Sequence, residues 1–165
     1  MNAAESQAPS GRMEYAGAVY GSLLAASVVA GSAADGTPLQ AGDLATVLIS
    51  TGVVFWLAHM YAQVVSQGVH PLTWEHVRAA GRHEWPLAQA AFPPAIAAAF
   101  ASAFGMSDGA AAWAALTVAV ASQVIWAVAA AVTTHASTRV VILSGIANLA
   151  LGLAIVALKT VVAAH

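Results

Sequence analysis

The chain has 165 residues, of which 60% are hydrophobic and only 7% charged, and its mean hydropathy is +0.77. A soluble domain is about 25% charged, so this composition excludes a water-wetted globule and requires lipid around most of the perimeter. The lack of cysteine excludes disulfides and thiolate chemistry, and a formal net charge of −2 provides no basic patch, so no nucleic-acid partner is expected.

Residues 1–13, MNAAESQAPSGRM, are small and polar and read as a tail in water. From residue 14 to 165 the sequence predicts one all-α, polytopic transmembrane helical bundle. It has about five spans, at 15–34, 44–66, 86–105, 110–133 and 140–163, and one interfacial amphipathic helix at about 73–84.

Arg12 and the small residues of Gly31–Ala34 give the first run some features of a secretory signal. Its apolar stretch exceeds the usual ~7–15-residue signal core, so it is read as a retained span. Within it Gly17 and Gly21 are continued by Leu24, Val28 and Gly31 in steps of four and three, a spacing that lets two helix backbones approach. A loosely packed, lipid-facing side is the alternative.

Residues 35–43, DGTPLQAGD, close a short loop. In the second span Ala45, Ile49, Gly52, Trp56, His59, Gln63 and Ser66 form one seam, small at its start and polar at its end. An imidazole and a carboxamide facing lipid would cost several kcal/mol, so this seam must look at protein or water.

Residues 67–85, QGVHPLTWEHVRAAGRHEW, concentrate charge, histidine and tryptophan. Thr73 is placed to cap a short helix with Glu75, Arg78 and Arg82 wet and Trp74, Val77 and Trp85 on the apolar side. In the third span Pro93 and Pro94 predict a hinge, because they cannot donate to the carbonyls of Gln89 and Ala90. Gly105, Asp108 and Gly109 form a turn. The fourth span holds Thr117, Gln123 and Trp126; the linker 134–139 leads to a fifth with Ser144, Gly145, Asn148, Gly152 and Lys159. Gly52 and Gly152 join Gly17 and Gly21 as candidate helix-packing positions.

Five crossings would place Arg12, Arg78, Arg82 and Arg139 on one side and Asp35, Asp43 and Asp108 on the other. The positive-inside rule then puts the N-terminus in the cytoplasm and the C-terminus outside a bacterial cytoplasmic (inner) membrane. A third span that fails to cross would leave four.

Counting about 1.5 Å of rise per residue from each span's centre places His59, Gln123 and Asn148 within roughly 3–6 Å of the bilayer middle. Tyr20, Ser22 and the proline pair fall near the same band, and Gln63 lies one turn beyond His59. Two readings of this polar belt stand side by side. It is either interhelical glue, worth ~0.6–2 kcal/mol per bond, or the lining of a hydrated path where His59 titrates and carboxamides hold water or a cation.

His76 and His83 are seven apart and share a helix face near Glu14 and His135, which makes them weak metal candidates. The tight ligand spacings are missing, so solvated histidines are the competing reading and no cofactor is expected. No phosphate-binding glycine loop, nucleophile elbow or buried carboxylate pair is present, so the chain is not read as an enzyme.

The stretches YGSLLAASVVA (20–30), FWLAHMYA (55–62) and EWPLAQAAFPP (84–94) resemble small integral membrane proteins of actinobacterial type, a resemblance that brings no activity with it. Trp56 and His59, three apart, are also similar to a feature of the second helix of atypical potassium channels with a Phe-Ser-Asp signature. The corresponding first helix, Tyr15-Ala16-Gly17-Ala18, lacks that Ser and Asp. The expectation is a homo-oligomeric channel or transporter for protons or a small monovalent cation, gated at His59. The alternative is a non-catalytic assembly subunit that meets other membrane proteins through Gly17, Gly21 and the Trp74–Trp85 helix.

Overall fold

The computed structural model describes residues 10–32, 37–67, 73–134 and 136–162, without the side chains of 10–14, 159 and 162. Six helices make up the described residues: α1 (Ser10–Gly31), α2 (Ala41–Ser66), α3 (Trp74–Gln89), α4 (Phe92–Ala103), α5 (Asp108–Thr133) and α6 (Thr138–Val162). Residues 1–9, Asp35, His70 and His135 lie outside the described residues, as do the side chains of Arg12, Glu14 and Lys159. α1 begins at Ser10, inside the stretch read as a polar tail.

Helix α5 lies at the centre, packed on α1, α4 and α6, while α2 packs on α3 and α4, and α1 on α3. Alanines line these contacts, among them Ala25 and Ala26 of α1, Ala98 of α4 and Ala115 and Ala119 of α5. A methyl side chain keeps helix propensity high and lets backbones come close, which is how helices pack where lipid removes the hydrophobic drive between them. Leu44, Leu48 and Leu116 fill what the alanines leave.

Among the described residues three helices are long and apolar enough to cross a membrane: Ala41–Ser66, Asp108–Thr133 and, within α6, Thr138–Leu158. The apolar part of α1, Tyr15–Gly31, and all of α4 are shorter.

The expected third span is not one kinked helix. α3 continues past Trp85 and through Pro86 to Gln89, the chain turns at Ala90 and Ala91, and α4 restarts at Phe92. Pro93 and Pro94 fall in the first turn of α4, where their missing N–H groups would have had no helical acceptor in any case. The break falls upstream of the prolines because Pro93 and Pro94 have no N–H to donate to the carbonyls of Gln89 and Ala90, so α3 ends at Gln89 and a new helix starts with the prolines in its first turn. With 12 residues α4 is about 18 Å long, well short of a ~30 Å hydrocarbon core.

Two glycines make room for the break. A Cβ added at Gly21 of α1 would collide with the Leu87 carbonyl oxygen and stand 2.8 Å from the Ala90 Cβ; one at Gly52 of α2 would stand 2.8 Å from the Ala91 Cβ. The junction of α1, α2 and the break retains a void of only about 10 Å³.

The ends of the helices are locally specified. α4 closes in a Schellman turn: Gly105, at φ +69°, donates to Ser102 O and Met106 donates to Ala101 O. Ser107 caps α5 by accepting from the Ala110 N–H. Asp108, read from sequence as a turn acid, reaches across the bundle, and its Oδ1 accepts from the Ala41 N–H at 3.0 Å. One carboxylate thus sits at the positive ends of α2 and α5 together.

Candidate functional site

The polar side chains gather where α5 meets α6 and α1. Ser144, Asn148 and Gly152 recur every four residues and turn one face of α6 toward α5. Ser144 Oγ donates to Ala127 O at 3.4 Å, and Gln123 Nε2 donates to the backbone O and the Oδ1 of Asn148 at 3.1 and 3.2 Å. Asn148 Nδ2 in turn donates to Ser144 O at 3.0 Å, within α6. One turn further, a Cβ on Gly152 would stand 2.6 Å from Val120 Cγ1, so the missing side chain lets α6 lie close against Val120 of α5.

Gln123 is fully buried, and its Oε1 has no hydrogen-bond partner among the described residues. Reversing the amide would place that oxygen against the Asn148 oxygens, so the observed orientation is the one the network selects. The result is a buried acceptor without a donor, in a place where such a group is costly. Gln123 borders an open groove of about 480 Å³ together with Tyr20, Asn148, Ser144 and Thr134, its Oε1 covered beneath the groove's surface.

Tyr20 joins this groove to α2. Its ring centroid lies 5.6 Å from that of His59, the planes tilted by 52°. His59 Nδ1 is 2.9 Å from Phe55 O, and because a carbonyl can only accept, Nδ1 carries the proton and donates. No hydrogen bond among the described residues links His59 to Gln123 or Asn148.

The belt read from the sequence is therefore divided. Gln123, Asn148 and Tyr20 share one groove, and His59 meets that group only through Tyr20. Ser22 is buried and satisfies itself on Ala18 O at 2.9 Å, within α1. Gln63 is half-buried, its Oε1 without a partner among the described residues. Pro94 is buried and Pro93 half-buried at the start of α4. Sequence reasoning does not mark Ser144 or Thr134 as a site residue; the four-residue step from Ser144 through Asn148 to Gly152 is the signal that could have added the first.

Gly17 and Gly21 face α3 of the same chain, Gly17 at ordinary distance, since a Cβ added there would stand 3.6 Å from Leu87 N. His76 Nδ1 lies 2.8 Å from Thr73 Oγ1 and 3.4 Å from Thr73 N, so it takes the carboxylate's place in a capping box at the start of α3. Among the described residues no group of three or more His, Asp or Glu side chains gathers as a metal site. Comparison with protein-family models, curated proteins and solved structures found no match.

Proposed function

We propose that this is a multi-pass protein of the bacterial cytoplasmic membrane that passes protons or a small monovalent cation along the α1/α5/α6 groove as a homo-oligomer. In this reading α1, α2, α5 and α6 each cross, and α3 with α4 makes the remaining crossing as a broken pair. The observation that carries it is the Gln123 Oε1, a buried, unpartnered acceptor at a groove shared with Tyr20 and Asn148. A carbonyl oxygen without a fixed charge suits a weakly held cation or a chain of water.

Charge placement supports the orientation. Asp43 and Asp108 both lie in first turns, of α2 and α5, and the Asp108–Ala41 bond puts these two helix starts at one end of the bundle. Tyr15, early in α1, packs with its ring centroid 6.1 Å from that of Trp126 in the second half of α5, the planes tilted by 48°, and the start of α6 with Arg139 follows the end of α5. With arginine-bearing ends inside, the N-terminus is cytoplasmic and the C-terminus outside. The core beneath the groove is close-packed alanine and leucine, so a path needs a second copy for its far wall.

The second reading, a non-catalytic assembly subunit, draws on α6. That helix exposes Leu143, Ile146, Leu149 and Leu153, an apolar surface another membrane helix can cover as well as lipid can.

Proton and potassium flux into liposomes carrying the purified chain tests the proposal. The native chain should conduct, Gln123→Leu and Tyr20→Phe should each lower the flux severalfold, and His59→Ala should alter it through Tyr20. Silent vesicles containing folded native protein would overturn the proposal in favour of the assembly subunit.

A further inference from the structure

A second groove, of about 470 Å³, lies between the latter half of α2 and α3. Its volume falls in the range of about 300–1,000 Å³ typical of small-molecule sites. Trp56, Leu57 and Met60 wall it on α2, and Trp74, Trp85 and Val77 on α3. It also contains two of the chain's five basic residues, Arg78 and Arg82.

The walls are held before anything binds. Trp56 Nε1 donates to Gly81 O at 2.8 Å, and the Trp56 ring meets the edge of Trp85 at 5.5 Å and 83°. Gly81 lets the helices come this close, because a Cβ there would stand 3.3 Å from Met60 Sδ and 3.4 Å from Trp56 Cζ2. Trp74, by contrast, is 74% exposed at the mouth of the groove. Arg78 and Arg82 are one turn apart on the same face of α3, and among the described residues neither guanidinium is in an ion pair or a hydrogen bond.

We infer that this groove holds one anionic phospholipid, its acyl chain along Trp56, Leu57 and Met60 and its phosphate between Arg78 and Arg82. The charge is complementary, guanidinium groups bind phosphate oxygens in pairs, and tryptophans favour the depth at which headgroup meets hydrocarbon. A soluble anion would leave the apolar wall empty, and a zwitterionic lipid would bring a cationic headgroup against two arginines. The inference rests on the membrane reading above, in which Arg78 and Arg82 lie at the cytoplasmic surface, where anionic lipids give basic residues their attraction.

Native mass spectrometry of the full chain released from detergent, titrated with phosphatidylglycerol or phosphatidylcholine, tests it. One phosphatidylglycerol should be retained with a preference of ~10-fold over phosphatidylcholine, from two arginines at a partly screened surface. Arg78→Gln with Arg82→Gln should bring the two lipids to parity, and Arg78→Lys with Arg82→Lys should restore part of the preference. Equal retention by the native chain overturns the inference without any variant. So does a preference that survives the double glutamine substitution, which would place the anionic lipid elsewhere. Because binding is read in detergent and not as flux, a chain that conducts nothing can still pass this test, and a conducting chain can fail it.

Discussion

At Gln123 the fold buries a carboxamide whose nitrogen is satisfied twice on Asn148 and whose oxygen is left over. The amide contacts tie α5 to α6, and the spare oxygen is the part of the site that these contacts leave unused. A double-mutant cycle with Gln123→Leu and Asn148→Leu, followed by thermal unfolding in detergent, should give a coupling of about 0.6–1.7 kcal/mol, the range of interhelical hydrogen bonds in lipid. Additive losses would mean that the two side chains do not support each other. The sequence gives how far along each helix these residues stand, since a fixed rise per residue converts position within a span into distance from its centre. It does not give their rotation. In alanine-rich helices almost every face can pack, so nothing in the pattern places Gln123 opposite Asn148 while turning His59 toward Tyr20 alone. Asp108 shows the same limit, because an acid at a helix start reads as serving its own helix, not the amide of Ala41.

At the scale of elements, the α3–α4 break is the feature around which the first half of the chain packs. The Gly17/Gly21 spacing predicts two helices side by side; in the structure Gly17 stands at ordinary distance, and the tight contact at Gly21 is with Leu87 and Ala90 at the point where a helix stops. The two glycines should accordingly differ. Gly17→Ala meets only ordinary contacts and should leave stability unchanged or raise it by up to about 1 kcal/mol through better helix propensity. Gly21→Ala forces its methyl onto the Leu87 carbonyl and should cost about 1–3 kcal/mol. Denaturation of the two variants side by side in the same detergent compares them; an equal response at both positions would contradict the wedge at Gly21. The prolines make the interruption readable, whereas its location two residues upstream depends on Pro86 being accommodated inside α3.

For the whole molecule, the composition suits a chain surrounded by lipid, the elements of the described residues are all helices, and three of these meet the length and apolarity that a crossing needs. The number of crossings depends on α3 and α4, one amphipathic and one short, whose joint path decides which side every later loop occupies. The side on which the α5–α6 loop and the start of α6 lie follows from that path. The absence of native cysteine makes the path directly measurable by single-cysteine labelling with a membrane-impermeant maleimide. In intact cells Ser107→Cys should be labelled, while Gln67→Cys and Ala136→Cys should react only after the membrane is opened. Labelling of Ser107→Cys from the same side as Gln67→Cys would show that α3 and α4 do not cross, and would contradict the five-crossing account.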